Sequence, residues 1–171
     1  GIGKVGKNSL LKIPSAGSFV FLGELLIDKE IRVTPLPLPN YCGSCNACIE
    51  HCPTGALLAP GKLDATNCIS YLTIELKRDF TANEAAMIGE WLFGCDICQE
   101  VCPYNRQASI VAHPAFTVRE ELLNVAVDDL LGLTKSSFRK LFYGTPVFRI
   151  GLRRLKRNAR AVEENLRRKG G

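Results

Sequence analysis

Hydrophobic residues are spaced along the 171-residue chain in patterns that predict both strand and helix. Residues 18–27 form an apolar run typical of a strand, and the alternating prolines of residues 35–39 predict an extended linker. Residues 64–77 are predicted to form a helix that carries Cys68. Beyond residue 105 the pattern becomes helical, so the sequence favours an α+β fold.

Further helices are indicated by their start signals. A capping box predicts a helix over residues 81–93, and the spacing of Thr117 and Glu120 predicts another start. Proline suits the first helical position, so a last helix is predicted from Pro146. This helix has one apolar stripe with steps of three and four residues: Phe148, Leu152, Leu155, Ala159, Val162 and Leu166.

A ridge of basic residues is predicted beside this stripe: Arg149, Arg153, Lys156 and Arg160, with Arg154 and Arg157 flanking it. Nine Lys and Arg lie between residues 149 and 169, whereas the rest of the chain has thirteen basic and fifteen acidic residues. Like charges at this spacing slightly destabilise a helix, so a ridge without acidic partners indicates a phosphate-binding face. A solvated helix face is the alternative interpretation.

The eight cysteines form two clusters with one cysteine between them. The first has the spacing Cys-x2-Cys-x2-Cys-x3-Cys-Pro, and the second lacks only the first cysteine of that pattern. Such runs ligate [4Fe–4S] clusters, and in two-cluster ferredoxins the fourth cysteine of a run ligates the other cluster. The predicted ligand sets are therefore crossed: Cys42, Cys45, Cys48 and Cys102 form one, and Cys52, Cys68, Cys95 and Cys98 form the other.

Two other uses of cysteine fit the spacing less well. Disulfides suit short secreted chains with a higher cysteine content. Structural zinc sites use well-separated Cys-x2-Cys pairs.

Reduced ligand cysteines fit the cytoplasm, and no apolar run approaches the ~18 residues of a membrane span. Because the sequence begins at Gly1 and its only methionine is Met87, we expect it to be the C-terminal part of a longer protein.

The first residues contain glycine motifs. The glycines of residues 1–6 match a dinucleotide-binding fingerprint, but no strand precedes them in the sequence. Together with Lys7 they also partly match the Walker A motif, but Asn8 replaces the Ser or Thr that would hold magnesium. We favour a glycine-rich loop that brings backbone N–H groups and Lys7 close to a polar or anionic cofactor.

Several longer stretches carry further information: Gly3-Lys-Val-Gly-Lys-Asn-Ser-Leu-Leu11, Phe21-Leu-Gly-Glu-Leu-Leu26, Cys42-Gly-Ser-Cys45, Cys52-Pro-Thr-Gly-Ala56, Cys68-Ile-Ser-Tyr-Leu-Thr-Ile-Glu75, Phe93-Gly-Cys-Asp-Ile-Cys-Gln-Glu-Val-Cys-Pro103, Gly144-Thr-Pro146 and Leu155-Lys-Arg-Asn-Ala159. Together they resemble the epoxyqueuosine reductases, the corrinoid and iron–sulfur enzymes that complete queuosine in tRNA. They cover essentially the whole chain, and the block around Cys68 is more specific than any ferredoxin motif. Val5 departs from the family, which usually has tryptophan in this motif.

The resemblance implies three regions. Residues 1–40 would be the end of an α/β cobalamin-binding reductase domain, and residues 41–105 a two-[4Fe–4S] ferredoxin-like domain. Residues 106–171 would be a helical, HEAT-like, basic region that binds tRNA. The family's proposed proton donor is an aspartate shortly upstream of Gly1, so we expect no catalytic residue in this chain and no activity from the chain alone.

The resemblance also implies binding residues. Those implied to contact cobalamin are Lys7, Asn8, Ser9, Leu10, Phe21, Gly23, Ser70, Cys95 and Asp96. Those implied to contact tRNA are Lys77 and the C-terminal basic residues Arg149, Arg153, Arg154, Lys156, Arg157 and Arg160.

The implied reaction reduces epoxyqueuosine to queuosine at the wobble position of tRNA, with electrons passing through two [4Fe–4S] clusters to cobalamin. The implied partners are the tRNA anticodon region and an electron donor such as a flavodoxin or ferredoxin system, with a monomeric protein and no membrane. Two other functions remain possible. A two-[4Fe–4S] ferredoxin-type carrier leaves the basic tail unexplained, and a corrinoid reductive dehalogenase shares the cofactors but is usually exported.

Overall fold

The computed structural model describes residues 2–32, 37–38, 40–106, 108 and 116–170. Its elements follow in chain order: strands β1 (Lys4–Val5) and β2 (Leu11–Lys12), helix α1 (Ala47–Glu50), strands β3 (Leu57–Ala59) and β4 (Lys62–Leu63), a 3-10 turn (Ala65–Asn67), a π-helix (Tyr71–Glu75), helices α2 (Ala82–Met87) and α3 (Ile97–Glu100), a second 3-10 turn (Pro103–Asn105), and helices α4 (Glu120–Leu123), α5 (Val127–Gly132), α6 (Lys135–Phe142) and α7 (Pro146–Gly170). The expected mixture of helix and strand is confirmed.

The chain divides into two compact units. Unit 1 comprises Gly1–Leu63 and Asp96–Ile110, and unit 2 comprises Asp64–Cys95 and Val111–Gly171. The boundaries expected after residues 40 and 105 do not coincide with this division, because residues 64–95 group with the C-terminal part of the chain. The three-region scheme stays a prediction about the family's domains.

Unit 1 contains two antiparallel hairpins and the two short helices of the cysteine runs. β1 pairs with β2 and β3 pairs with β4. Its buried hydrophobic residues in the described ranges are few: Tyr41, Cys48, Ala56, Leu57 and Cys102. A core this small contributes little apolar burial, so we expect unit 1 to depend on cross-links for its stability.

Unit 2 has two apolar clusters. The first contains Ile69, Leu72, Leu76, Ile88, Ala161 and Val162, and the second contains Leu130, Phe138, Phe142, Ile150, Leu155 and Ala159. Helix α7 contributes to both clusters, and it therefore holds the two segments of unit 2 together.

Helix α7 follows the predicted apolar stripe except at its C-terminal end. Leu155, Ala159 and Val162 are buried as expected, and the helix begins at Pro146 as expected. Gly151 has a left-handed conformation (φ 75°, ψ 160°) that interrupts the helix, so residues before and after it do not share one continuous face. Leu166 is exposed, so the predicted stripe is wrong at its C-terminal end, whereas Phe148 and Leu152 are partly buried and pack against the second apolar cluster.

The predicted regular helix over residues 64–77 is wrong. The chain instead forms a 3-10 turn and then a π-helix that contains the buried Thr73. Side chains of α7 donate hydrogen bonds to backbone carbonyl groups of this segment. Arg157 donates to Leu72 O (2.9 Å), and Asn158 donates to Thr73 O (2.8 Å). These bonds compensate carbonyl groups that the irregular helix leaves without regular partners.

Helix-start signals have mixed outcomes. Glu84 N donates to Thr81 Oγ1 (3.3 Å) and Thr81 N donates to Glu84 Oε2 (2.8 Å), so this capping box is confirmed. Helix α2 nevertheless ends at Met87, soon followed by Gly89 with φ 55°, rather than at residue 93. The start predicted at Thr117 is wrong, because α4 begins at Glu120 without a side-chain cap.

The apolar run of residues 18–27 does not form a strand. Its side chains are strongly exposed, with Phe21, Leu25 and Leu26 at 88%, 92% and 97%. A strand needs a neighbouring strand for its backbone hydrogen bonds, and no strand in the described ranges pairs with this segment. The proline-rich linker predicted at residues 35–39 lies largely outside the described residues.

Candidate iron–sulfur site and basic surface

The two cysteine runs fold in the same way within unit 1. Asn46 precedes α1 with φ −122° and ψ 14°, and Asp96 precedes α3 with φ −114° and ψ 11°. In each run one cysteine lies on the short helix, and the last cysteine follows its end, with Cys52 N donating to Ile49 O and Cys102 N donating to Gln99 O. The shared Cys-x3-Cys-Pro spacing thus produces a structural repeat.

Four cysteines from these runs line one cavity. The cavity is lined by Cys42, Cys45, Cys48, Cys102, Lys12, Tyr41, Ala47, Pro103 and Tyr104. The four thiols are those of the first predicted ligand set, and four cysteine thiolates suit a [4Fe–4S] cluster. In the described ranges, no three His, Cys, Asp or Glu side chains lie close enough to hold a single metal ion. A cubane differs because each thiolate binds a different iron atom.

Lys12 contributes a buried cation to this cavity. Its side chain is only 4% exposed, and Nζ donates to Cys102 Sγ (3.3 Å) and Cys42 Sγ (3.4 Å). Nζ also lies 5.6 Å from the ring centre of Tyr104. Burial would lower the pKa of Lys12, but hydrogen bonds and charge interactions with Cys102 and Cys42 outweigh burial and raise that pKa. Lys12 is therefore a cation that bridges two candidate ligands.

Two glycines make room for Lys12. A Cβ atom on Gly6 would lie 2.4 Å from Lys12 Cε, and one on Gly3 would lie 2.3 Å from Lys12 O. The hairpin pairs Lys4 with Lys12. Gly6 leaves room for the Lys12 side chain, and Gly3 leaves room for the Lys12 backbone carbonyl. Close packing in the hairpin therefore explains two glycines of the nucleotide-like motif; Gly1 lies outside the described residues.

The loop after Gly6 is bound to both cysteine runs. Lys7 N donates to Cys42 Sγ (3.3 Å), and Lys7 Nζ donates to Asn46 Oδ1 (2.9 Å). Asn8 is 4% exposed, and its Nδ2 donates to Cys98 O (3.1 Å). A backbone N–H group of the glycine-rich loop therefore reaches a candidate ligand sulfur.

The second predicted ligand set is divided between the units. Cys52 and Cys98 belong to unit 1, and Cys68 and Cys95 belong to unit 2. Burial would raise the pKa of Cys52, but hydrogen bonds from the backbone of Leu57 and from Thr54 outweigh it and lower that pKa. This environment favours a thiolate at Cys52, as metal ligation requires.

The residues implied to contact cobalamin also belong to both units. Unit 1 contains Lys7, Asn8, Ser9, Leu10, Phe21, Gly23 and Asp96, whereas unit 2 contains Ser70 and Cys95. Ser70 Oγ donates to Cys95 O (3.3 Å), and a Cβ atom on Gly23 would meet nothing within 4 Å. Ser9 has φ 62°, and Asp96 Oδ1 accepts a hydrogen bond from Gln99 Nε2 (2.7 Å).

The basic ridge of α7 has acidic partners that the local sequence did not reveal. Arg149 pairs with Glu75 (2.7 Å), and Arg153 pairs with Asp79 (3.1 Å). Glu75 is the last residue of the π-helix and Asp79 lies in the segment that follows it, so both acids are more than seventy residues upstream. Arg149 and Arg153 therefore have acidic partners, and the prediction that the ridge lacks them is wrong for these two residues.

The two flanking arginines, Arg154 and Arg157, donate hydrogen bonds to backbone carbonyl groups of unit 2. Arg157 is 6% exposed, donates to Leu72 O and Leu76 O, and stacks 4.0 Å from the ring centre of Phe80. Burial lowers the pKa of Arg157 to about 10, with the charges of Arg153 and Arg154 adding to the effect, so it stays charged at neutral pH. Its proposed role in tRNA contact is wrong, because its guanidinium group is buried.

Arg154 is partly buried and donates to Ile74 O (2.6 Å) and Ile150 O (2.7 Å). Its guanidinium group therefore stabilises the fold. Lys156 is partly exposed and Arg160 is exposed. Within the described ranges, neither forms a hydrogen bond or ion pair through its side chain, so both side chains are free to contact phosphate as predicted.

An open cavity of about 700 Å³ lies on unit 2 beside the break in α7. It is lined by Lys77, Lys135, Phe138, Arg139, Phe148, Ile150, Gly151, Leu152, Arg153 and Arg154. Lys135 and Arg139 are exposed residues of α6 that the sequence analysis missed. Arg139 lies 5.2 Å from the ring centre of Tyr143, which contacts Phe148 edge to face. The surface combines cations with aromatic rings, the composition of a nucleic-acid-binding site.

Comparison with known protein families identifies a domain in this chain. Residues 41–105, which contain all eight cysteines, match the 4Fe-4S double cluster binding domain. The chain therefore contains a 4Fe–4S binding domain. Among the described residues, no helix has both the length and the hydropathy needed to cross a membrane.

Longer matches identify the relatives. The chain is 39% identical over 158 residues to an epoxyqueuosine reductase of Cellulophaga algicola, covering 92% of the chain and 51% of the relative. A structure of epoxyqueuosine reductase from Streptococcus thermophilus matches with a TM-score of 0.83 and 34% identity. The match covers 97% of this chain and 43% of the chain in that structure. A crystal structure of epoxyqueuosine reductase with an epoxyqueuosine-modified tRNA stem loop matches with a TM-score of 0.81 and 31% identity. The match covers 96% of this chain and 44% of the chain in that structure.

The resemblance to the epoxyqueuosine reductases is thus confirmed along nearly the whole chain. The chain spans about half the length of the curated relative and less than half of the two solved structures.

Proposed function

We propose that this chain is the iron–sulfur part of an epoxyqueuosine reductase, an oxidoreductase that completes queuosine in tRNA. The observation that carries the proposal is the joint lining of one cavity by Cys42, Cys45, Cys48 and Cys102. Two separate runs supply these thiols in the crossed pattern of two-cluster ferredoxins. The similarity to epoxyqueuosine reductases along 92% of the chain supports the same assignment.

The first cluster would be held by these four cysteines, and the second by Cys52, Cys68, Cys95 and Cys98. The second set is supported by sequence spacing and by the match to a double-cluster domain. When bound, the clusters supply single electrons and cobalamin supplies the two-electron chemistry that, with two protons, converts the epoxide to the alkene and water. Cysteines ligate metals as thiolates, and the hydrogen bonds that lower the pKa of Cys52 favour that form.

The chain's own residues would orient and shield the cofactors. Residues Lys7–Leu10, Phe21, Gly23, Ser70, Cys95 and Asp96 are proposed to contact cobalamin, which follows from their positions in the matched motifs. The exposed rings and aliphatic side chains of residues 19–27 would be covered in such a protein. The HEAT-like character of the C-terminal helices, the cytoplasmic location, the monomeric state and a flavodoxin or ferredoxin donor belong to the same proposal.

We propose that tRNA contacts unit 2 at the basic cavity beside Gly151 and along Lys156 and Arg160. Lys77, Lys135 and Arg139 have no acidic partner in the described part of the chain. Unpaired cations release counterions from a phosphate backbone at the lowest cost, since no internal ion pair has to break. Arg149 and Arg153 are secondary candidates because they would have to leave Glu75 and Asp79.

The proposal is tested by replacing both Lys135 and Arg139 with glutamate and measuring tRNA affinity against salt concentration. We expect affinity to fall several-fold for tRNAs of any sequence, and the log–log salt slope to flatten by roughly 0.7–0.9 per lost phosphate contact. Both residues are exposed, so stability should change by about 0.5 kcal/mol or less. Iron content should stay unchanged.

The matched control reverses Arg167 and Arg168, which lie in the last turn of α7 and pair with Glu163 and Glu164. Equal weakening by the two double variants would mean that only net charge matters and would reject the cavity as the contact. Absence of measurable tRNA affinity in the unmodified protein would instead favour a ferredoxin-type electron carrier.

A further inference from the structure

The environment of Lys12 differs from that of an ordinary surface lysine. Its ammonium group is buried, it donates to sulfurs from both cysteine runs, and the aromatic ring of Tyr104 lies beside it. The two sulfurs, Cys42 Sγ and Cys102 Sγ, belong to the same proposed ligand set. Gly6 leaves the space that this side chain occupies, and Gly3 lets the Lys12 backbone carbonyl approach closely. The hairpin is therefore built to place one positive charge against the thiolates of one cluster.

Reduction of a [4Fe–4S] cluster adds one electron, and so one unit of negative charge, to the metal–thiolate unit. Net charge and hydrogen bonds to the sulfurs are the factors by which a protein sets cluster potentials. A fixed ammonium group stabilises the more negative, reduced state more than the oxidised state. The effect is larger for a buried charge, because water screens it less.

We propose that Lys12 is a positioning residue that raises the reduction potential of the cluster held by Cys42, Cys45, Cys48 and Cys102 relative to the other cluster. The inference rests on the proposed function only in requiring that these four cysteines ligate a cluster. The charge also repels other cations from the cavity, and its hydrogen bonds join the two cysteine runs. Lys12 thereby gives the two clusters of one chain different electrostatic surroundings.

The test replaces Lys12 with methionine, which keeps a similar length and removes the charge. Reductive titration of the iron–sulfur-loaded protein, followed by EPR, measures the midpoint potentials of both clusters. We expect one potential to become more negative, by at least a tenfold change in the oxidised-to-reduced ratio, or about 59 mV for one electron. The other potential should stay within error.

Three further variants make the result specific. Lys4→Met removes an equal charge from the exposed strand opposite Lys12, and it should change neither potential. Lys12→Arg keeps the charge and should restore most of the wild-type value. Lys12→Gln keeps hydrogen-bond donors without charge and provides the measurement if Lys12→Met does not retain its clusters.

Outcomes separate the inference from the proposed function. Unmodified protein without [4Fe–4S] signals would reject the ligand assignment itself. Two intact clusters with unchanged potentials in Lys12→Met would overturn the role of Lys12 while leaving the ligands in place. Loss of one cluster in all three Lys12 variants would overturn it in favour of a structural role in joining the runs.

Discussion

Replacing Cys102 with serine is expected to remove the cluster proposed for Cys42, Cys45 and Cys48, and to lower the iron content from about eight to about four atoms per chain. Cys102 lies more than fifty residues from that run in the sequence, but it lines the same cavity. A cluster with three thiolates and one serine is poorly retained, because the fourth iron loses its sulfur ligand. Iron and sulfide analysis measure the loss.

Paired variants show which cysteines share a cluster. If the sets are crossed, the Cys42→Ser, Cys102→Ser double variant loses the same single cluster as either single variant and keeps about four iron atoms. The Cys98→Ser, Cys102→Ser double variant then loses both clusters. If each run instead ligates its own cluster, these two results are exchanged, and the crossed assignment is rejected.

Removal of the clusters is expected to unfold unit 1 and to leave most of unit 2 folded. Unit 1 has only a few buried hydrophobic residues in the described ranges, whereas unit 2 has two apolar clusters joined by α7. Where a small core relies on metal ligands, binding energy is folding energy. Amide hydrogen exchange in β1, β2 and α1 should accelerate by about tenfold or more, which corresponds to about 1.4 kcal/mol or more.

The exchange experiment compares the iron-loaded protein with protein treated with an oxidant and a chelator. Peptides around Leu155 and Ala159, both fully buried, serve as the internal control and should remain slow. Unchanged protection of α1 after complete loss of iron would show that unit 1 holds its fold without clusters. Loss of protection throughout α7 would show that the two units unfold together.

The spacing of the cysteines predicted the four thiols that line the cavity, because short regular steps around a cluster leave few alternatives. Lys12 had no comparable signal. Its burial depends on the pairing of β1 with β2 and on the space above Gly3 and Gly6, which only the folded hairpin defines. Lysine is almost never fully buried unless it is paired, so the sequence alone favours the wrong environment for Lys12.

The helical region shows a different limit. Spacing within α7 predicted its buried middle, since a local period determines which residues share a face. The partners of Arg149 and Arg153 come from Glu75 and Asp79, and no local period reports such distant contacts. Arg157 looked like a surface cation for the same reason, although its donors satisfy buried carbonyl groups.

The strand prediction failed because hydrophobicity was taken as a sign of pairing. Residues 19–27 have the composition of a buried strand, and yet Phe21 and Leu26 are strongly exposed. Hydrophobic composition favours burial against some surface, but it does not identify the element that supplies that surface.

The proposed role in the reduction of epoxyqueuosine can be tested by nucleoside analysis of tRNA. The gene would be expressed in a strain that lacks its own epoxyqueuosine reductase, and the digested tRNA analysed by mass spectrometry. We expect queuosine to reappear with the unmodified gene and epoxyqueuosine to remain with the Cys102→Ser variant. Accumulation of epoxyqueuosine alone, in cells where the unmodified protein carries both clusters, would contradict the proposed role.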